Sequence, residues 1–198
     1  MIEKKEERLS MAGVILDEQL YRNYSELAYL ILQCYKDIAV LNYFIQLGEK
    51  KEKLQEEVLL VAEHYIKLMQ RDLALTIWKI KIDTNPNANT VSQFRNKINQ
   101  LMRNNNLCVK QIKTIKLDKK IRDDISYIRS RYLAHTDMNR QDSKIEISDL
   151  KKALDDICTE FNNICRVIDD ERVYEITPAD KMAIDIKFSM GISHMLSQ

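Results

Sequence analysis

This sequence predicts an all-α fold, an antiparallel helical bundle of about five to six helices, and three observations carry that expectation. Three glycines and two prolines among 198 residues leave few turn formers, so long elements joined by short loops are expected. Leu, Ile, Lys and Glu are abundant, a balance that favours helix over sheet. Apolar residues recur at three- and four-residue steps along nearly the whole chain, the period of one helix face. A content of 45% hydrophobic and 31% charged residues is enough to bury a core and keep a charged surface.

The elements follow in order. A first helix is expected over residues 17 to 47, with Leu20, Tyr24, Leu27, Leu30, Ile31, Cys34, Ile38 and Leu41 on one face. Gly48 and the charged run after it would end that helix as a C-cap glycine does. A second helix, 52 to 82, repeats the pattern with Leu54, Val58, Val61, Tyr65, Leu68 and Asp72. Pro86 and its Asn neighbours then favour a turn. A third helix, 89 to 105, would be capped by Asn89 or Thr90. The fourth starts near Leu117 and carries Leu117, Ile121, Ile125, Ile128 and Tyr132. A fifth opens at Ser148, a good N-cap, and sets Leu150, Leu154, Ile157, Phe161, Ile164 and Ile168 in a seam of fours and threes, the spacing of helices packed at a shallow angle. A last helix begins at Thr177-Pro178, where proline suits the first helical position and Asp180 the positive end of the dipole. Residues 1–176 thus read as the bundle and 177–198 as a C-terminal helix, with Met182, Ile186, Met190 and Met195, that docks on the bundle or on a partner subunit.

Several functions are excluded by what the sequence lacks. Cys34, Cys108, Cys158 and Cys165 form no CxxC pair and read as buried reduced thiols rather than metal ligands or a disulfide framework. The charged start MIEKKEERLS has no apolar core of a signal peptide, and no run of eighteen apolar residues predicts a membrane span; a cytoplasmic protein without membrane contact is expected. No P-loop or GxGxxG is present, which argues against nucleotide hydrolysis by those routes. Trp78 and the tyrosines of the first helix (Tyr21, Tyr24, Tyr29, Tyr35, Tyr43) read as core or interface aromatics. His64 and His194 read as surface or packing residues.

The chemistry gathers late in the fourth helix. Its apolar stripe extends by the same step to His135, and Arg131, four residues earlier, lies about 40° away and shares that face. Arg129 and Ser130 add a second guanidinium and a hydroxyl. Two arginines and a histidine in so short a stretch suit a phosphate ligand, because arginine grips phosphate oxygens bidentately and keeps its charge. Histidine titrates near neutral pH and can move protons.

The stretch IRSRYLAHTD resembles the R-x(4–6)-H motif of HEPN domains, with five residues between Arg129 and His135. It is most similar to the abortive-infection U-type (AbiU-like) branch of prokaryotic HEPN proteins, and the resemblance spans most of the chain, long helices first and the motif about two thirds along. Such domains dimerise, bring two motifs together, and many are metal-independent ribonucleases. The resemblance therefore implies Arg129 and His135 as the catalytic pair, with Ser130 in a polar slot where the family more often has Asn, Asp or His. Arg129 lies about 120° from His135 around an ideal helix, so close approach requires a distorted turn or, as the resemblance implies, a residue from a partner across a two-fold axis. His135 would move protons at a ribose 2′-hydroxyl and the leaving oxygen, Arg129 would stabilise the transition-state charge, and Arg131 would hold a neighbouring phosphate. No metal or other cofactor is expected.

Charge distribution points the same way. Residues 95–122 hold nine basic groups (Arg95, Lys97, Arg103, Lys110, Lys113, Lys116, Lys119, Lys120, Arg122) and one acid, Asp118, a net of 9 − 1 = +8, within a chain of net charge +1. Residues 142–175 hold ten acids and five bases, a net of −5. A basic track just before the motif suits an RNA backbone, contacted by Lys110, Lys113, Lys116, Lys119, Lys120 and Arg122. The function expected is a HEPN-type endoribonuclease, toxin or effector in phage defence or a toxin–antitoxin system, with RNA, a second copy of the chain and, in a toxin–antitoxin system, an antitoxin protein as partners. The alternatives are an RNA-binding or protein-interaction module that keeps the motif without cleaving, and a purely structural bundle.

Overall fold

The expected helices form, and their ends show which side chains set them. The computed structural model describes residues 13–49, 56–105, 107, 111–133 and 145–184. Within them lie α1 (Glu18–Glu49), α2 (Glu56–Ile77), α3 (Val91–Asn104), α4 (Lys119–Leu133) and α5 (Ile147–Cys165), with a further helical stretch, α6, at 178–184. The fold is an all-α bundle. Its one extended pairing among the described residues is a parallel bridge of Val14 with Ile168.

Asp17 opens α1, its carboxylate accepting from the Leu20 amide at 2.7 Å. Thr90 rather than Asn89 caps α3, accepting from Gln93 N at 3.1 Å; Asn89 instead reaches across to the Asn23 carbonyl at 2.9 Å. Asp118 caps α4, which moves that helix start from Leu117 to Lys119. Ser148 lies inside α5 and Glu146 takes the cap position without a side-chain bond. Gly48 does not end α1, which runs through it to Glu49. Thr177 and Asp180 cap α6 reciprocally, with Thr177 N donating to Asp180 at 2.7 Å and Asp180 N to the Thr177 hydroxyl at 3.3 Å, the capping-box arrangement.

Contacts at both ends of neighbouring helices give their directions. Phe44 stacks on Tyr65 while Glu26 meets Lys79 at 3.6 Å, so α1 and α2 run antiparallel. Tyr24 stacks on Phe161 and Tyr35 bonds Asp155 at 2.6 Å, which makes α1 and α5 antiparallel too. Lys120–Asp149 and Asp118–Lys152 join α4 and α5 near the N-terminal ends of both. The predicted stripes of α1, α4 and α5 supply the core, with Leu27, Ile31, Ile125, Leu150, Phe161 and Ile164 fully buried.

Most of the seam expected to face inward on α2 points out: Val58, Val61 and Tyr65 are exposed, Asp72 is solvated, Leu68 is half-buried, and Leu54 lies outside the described residues. A second stripe, Ala62, Leu73 and Ile77 with Ile66 and Met69, packs in its place. The helix carries two apolar stripes, and the choice between them is made by its neighbours. Among the first-helix tyrosines, Tyr24 and Tyr35 are buried, whereas Tyr29 is 62% exposed.

With no sheet among the described residues to satisfy them, extended segments must find hydrogen bonds elsewhere, and single side chains provide them. Asn99 both accepts from Ile112 N at 3.0 Å and donates to Ile112 O at 3.1 Å. Asn162 treats Ile176 the same way, and the Tyr24 hydroxyl bridges the amide and carbonyl of Tyr174. Gly13 lets the N-terminal segment lie against Asp169, since a Cβ there would fall 2.8 Å from the Asp169 nitrogen. Lys181 of α6 reaches Asp155 at 3.1 Å and covers the Tyr35 ring, which ties the described part of α6 to α1 and α5; Met182 is exposed, and Ile186, Met190 and Met195 lie outside the described residues.

Cys34, Cys158 and Cys165 are free and buried; Cys108 lies outside the described residues. Burial, helped by Asp37, pushes the Cys34 thiol up to about 12, and burial raises Cys158 and Cys165 as well. Thiolate is the reactive form. A thiol reagent at neutral pH should therefore leave all three unmodified in the folded protein and modify them in denaturant, as mapped by mass spectrometry. Rapid labelling of any of the three without denaturant would contradict this packing.

Candidate functional site

The site begins where α2 changes pitch. After Ile77 the helix widens into a single π turn, Trp78–Ile82, closed by Asp83 N donating to Trp78 O at 2.9 Å. Widened turns of this kind frequently mark functional positions because they re-aim side chains. Here the turn buries Ile80, sends Lys81 toward α5 and Trp78 toward α4.

Lys81 meets Glu160, a carboxylate with no exposure on the apolar face of α5. Arg95 of α3 donates to the other oxygen at 2.9 Å, and Ile115 N donates to the Lys81-bound oxygen at 2.7 Å. Arg95 also bonds the Thr114 hydroxyl. Burying such charges is tolerable only when each is paired, and two cations plus a backbone amide satisfy this one. Sequence reasoning passed over Glu160, yet its signal was present: an acid three residues after Ile157, on a stripe otherwise apolar. The network also revises the basic track, because Arg95 belongs to the buried cluster and not to the surface.

Together with Asn99, the cluster pins residues 111–118 as an extended strap. Ile112 is buried and Ile115 and Leu117 half-buried, while Lys113 and Lys116 face solvent, with Lys119 following at the start of α4. These three have no carboxylate partner among the described residues. The rest of the expected track is partly neutralised: Lys120 pairs with Asp149 at 3.5 Å and Asp124 at 3.9 Å, and Arg122 with Asp123 at 3.4 Å. Lys110 lies outside the described residues.

Of the motif, residues 129–133 are described. The Arg129 guanidinium lies over the Trp78 ring, 4.6 Å from its centroid. The side chain is half-buried, and its Nε is shielded from water with no hydrogen-bond partner. Ser130 turns its hydroxyl back to the Tyr127 carbonyl at 2.8 Å. Arg131 is exposed, its Nε donating to the Tyr127 hydroxyl at 3.1 Å and its guanidinium 5.2 Å from that ring. The two motif arginines therefore rest on different aromatic rings. His135, with Ala134, lies outside the described residues, as does His194; His64 is at the surface.

No helix among the described residues is long and apolar enough to cross a membrane. No match to this chain is found among protein-family models, curated proteins or solved structures.

Proposed function

We propose that this chain is a metal-independent endoribonuclease of the HEPN type, acting as a homodimer and as the toxin or effector of a phage-defence or toxin–antitoxin system. The observation that carries the reading is Arg129. The arginine that the RSRYLAH motif marks for catalysis is half-buried, stacked on an indole and without a counter-ion among the described residues. A shielded donor left without a partner costs stability, and on a cation it is suited to meet negative charge that arrives with a substrate.

In this mechanism His135 removes the proton from a ribose 2′-hydroxyl. The 2′-oxygen attacks the adjacent phosphorus, the bond to the 5′-oxygen breaks, and that oxygen takes up the proton that His135 removed, leaving a cyclic phosphate and a 5′-hydroxyl and restoring neutral His135. Arg129 neutralises the charge that builds on the non-bridging oxygens, and Arg131 holds a neighbouring phosphate. The lysines of the strap guide the backbone in.

The non-catalytic RNA-binding reading draws on Ser130, whose hydroxyl is engaged by its own helix in the slot where the family more often has Asn, Asp or His. Cleavage of RNA by the purified protein separates the two readings, and both require the strap. Lys113→Ala and Lys116→Ala should each weaken RNA binding regardless of sequence and lower the salt slope of log K by about 0.7, the value for one phosphate contact on a single strand. An unchanged slope in the double variant would remove the strap from the interface.

A further inference from the structure

We infer that Trp78 is a positioning residue for Arg129, and that the pair forms a receptor for a phosphate ester. The inference rests on the proposed role of Arg129 and adds the part of the fold that makes it work. Other arginines of the fold find carboxylates, as Arg95, Arg166 and Arg172 each do. Arg129 finds the face of an indole instead, with the guanidinium carbon 4.6 Å from the centroid. Stacking holds the cation by its π-face and leaves the in-plane donors, which match phosphate oxygens, uncommitted. Its Nε, already stripped of water and unsatisfied, gains most from an acceptor that brings its own charge.

Trp78 occupies this place because of the π turn. That turn is anchored on its other side by Lys81 in the buried Glu160 cluster, which also fixes the lysine strap through Ile115. One buried carboxylate thus sets the platform under Arg129 and the basic strap relative to each other. A phosphodiester chain crossing the strap and a free phosphate group present the same oxygens to Arg129, and the test tells them apart.

Trp78 is the chain's single tryptophan, so the pair reports on itself. Folded protein is titrated with inorganic phosphate and, separately, with a short 2′-deoxy oligonucleotide, which offers phosphodiesters but no 2′-hydroxyl to cleave. The expected result is a saturable change in tryptophan emission that Arg129→Met, with its fold checked by circular dichroism, does not show. A response to phosphate alone assigns the receptor to free phosphate groups, and one to the oligonucleotide assigns it to the nucleic-acid backbone; either upholds the receptor. Binding of the labelled oligonucleotide, read by anisotropy, should be kept within about threefold in Trp78→Phe and fall about tenfold in Trp78→Leu. Emission unmoved by both ligands overturns the inference, and that measurement stands even if the Leu variant does not fold. A Leu variant that folds and binds as wild type does also overturns it. Emission change without any RNA cleavage would remove the ribonuclease reading alone, whereas cleavage with silent emission would remove this inference alone.

Discussion

Glu160→Ala should cost about 3–5 kcal/mol of stability, the range for removing one partner of a buried ion pair. Glu160 has no exposed surface, and the side chains of Lys81 and Arg95 are 7% and 13% exposed. Taking away the carboxylate leaves two poorly hydrated cations facing each other and the Ile115 amide without its acceptor. For a chain of 198 residues, where about 1 kcal/mol shifts the midpoint by 2–4 °C, thermal melting should fall by roughly 10 °C. Glu160→Gln keeps the shape and an acceptor, so its loss should be smaller though still clear. Amide exchange at Ile115 should accelerate in both variants, because the strap is held there by Glu160. A Glu160→Ala protein that melts within a degree or two of wild type would show that the cluster does not anchor the strap.

His135→Ala and Arg129→Ala should each abolish measurable RNA cleavage while leaving the fold intact. General acid–base groups contribute about 10²–10⁴ in rate, and a donor aimed at developing transition-state charge about 10²–10³. The stability side of the expectation follows from packing. The Arg129 side chain makes no hydrogen bond among the described residues, so its loss removes the cation–π contact with Trp78 without orphaning a polar partner. Circular dichroism melts within a few degrees of wild type, combined with cleavage reduced at least about a hundredfold, are the expected pair of results. Equal loss of both stability and cleavage in Arg129→Ala would recast that residue as a packing element.

Helix periodicity is a local property, and it carried most of the fold. The stripes of α1, α4 and α5 became core because each offers one apolar face. On α2 the sequence offers two, and Ala62, with its small side chain, gave little sign that its stripe would be the one covered. Helix starts were legible where a cap side chain bonds its own first turn, as at Thr90 and Thr177. They were missed at α5, where Ser148 has the right chemistry but the cap position falls on Glu146.

The site divides in the same way. Arg129, Ser130 and Arg131 are legible because the motif is contiguous. The Trp78 platform and the Glu160 cluster are not, since they join residues from the π turn, α3, the strap, α4 and α5. A π turn leaves no period to read, and the segment charge of 95–122 counts Arg95 without the acid that α5 brings to it. Asn99 and Asn162 read as ordinary polar helix residues, and only the tertiary fold reveals them as clamps on extended backbone.

The most direct test of the account is incubation of purified wild-type protein with end-labelled RNA in EDTA, beside His135→Ala. Wild type should release RNA fragments ending in a cyclic phosphate and 5′-hydroxyl, and the variant should leave the RNA intact. Wild-type protein that leaves varied RNAs uncut, or His135→Ala that cuts them at the wild-type rate, would contradict it.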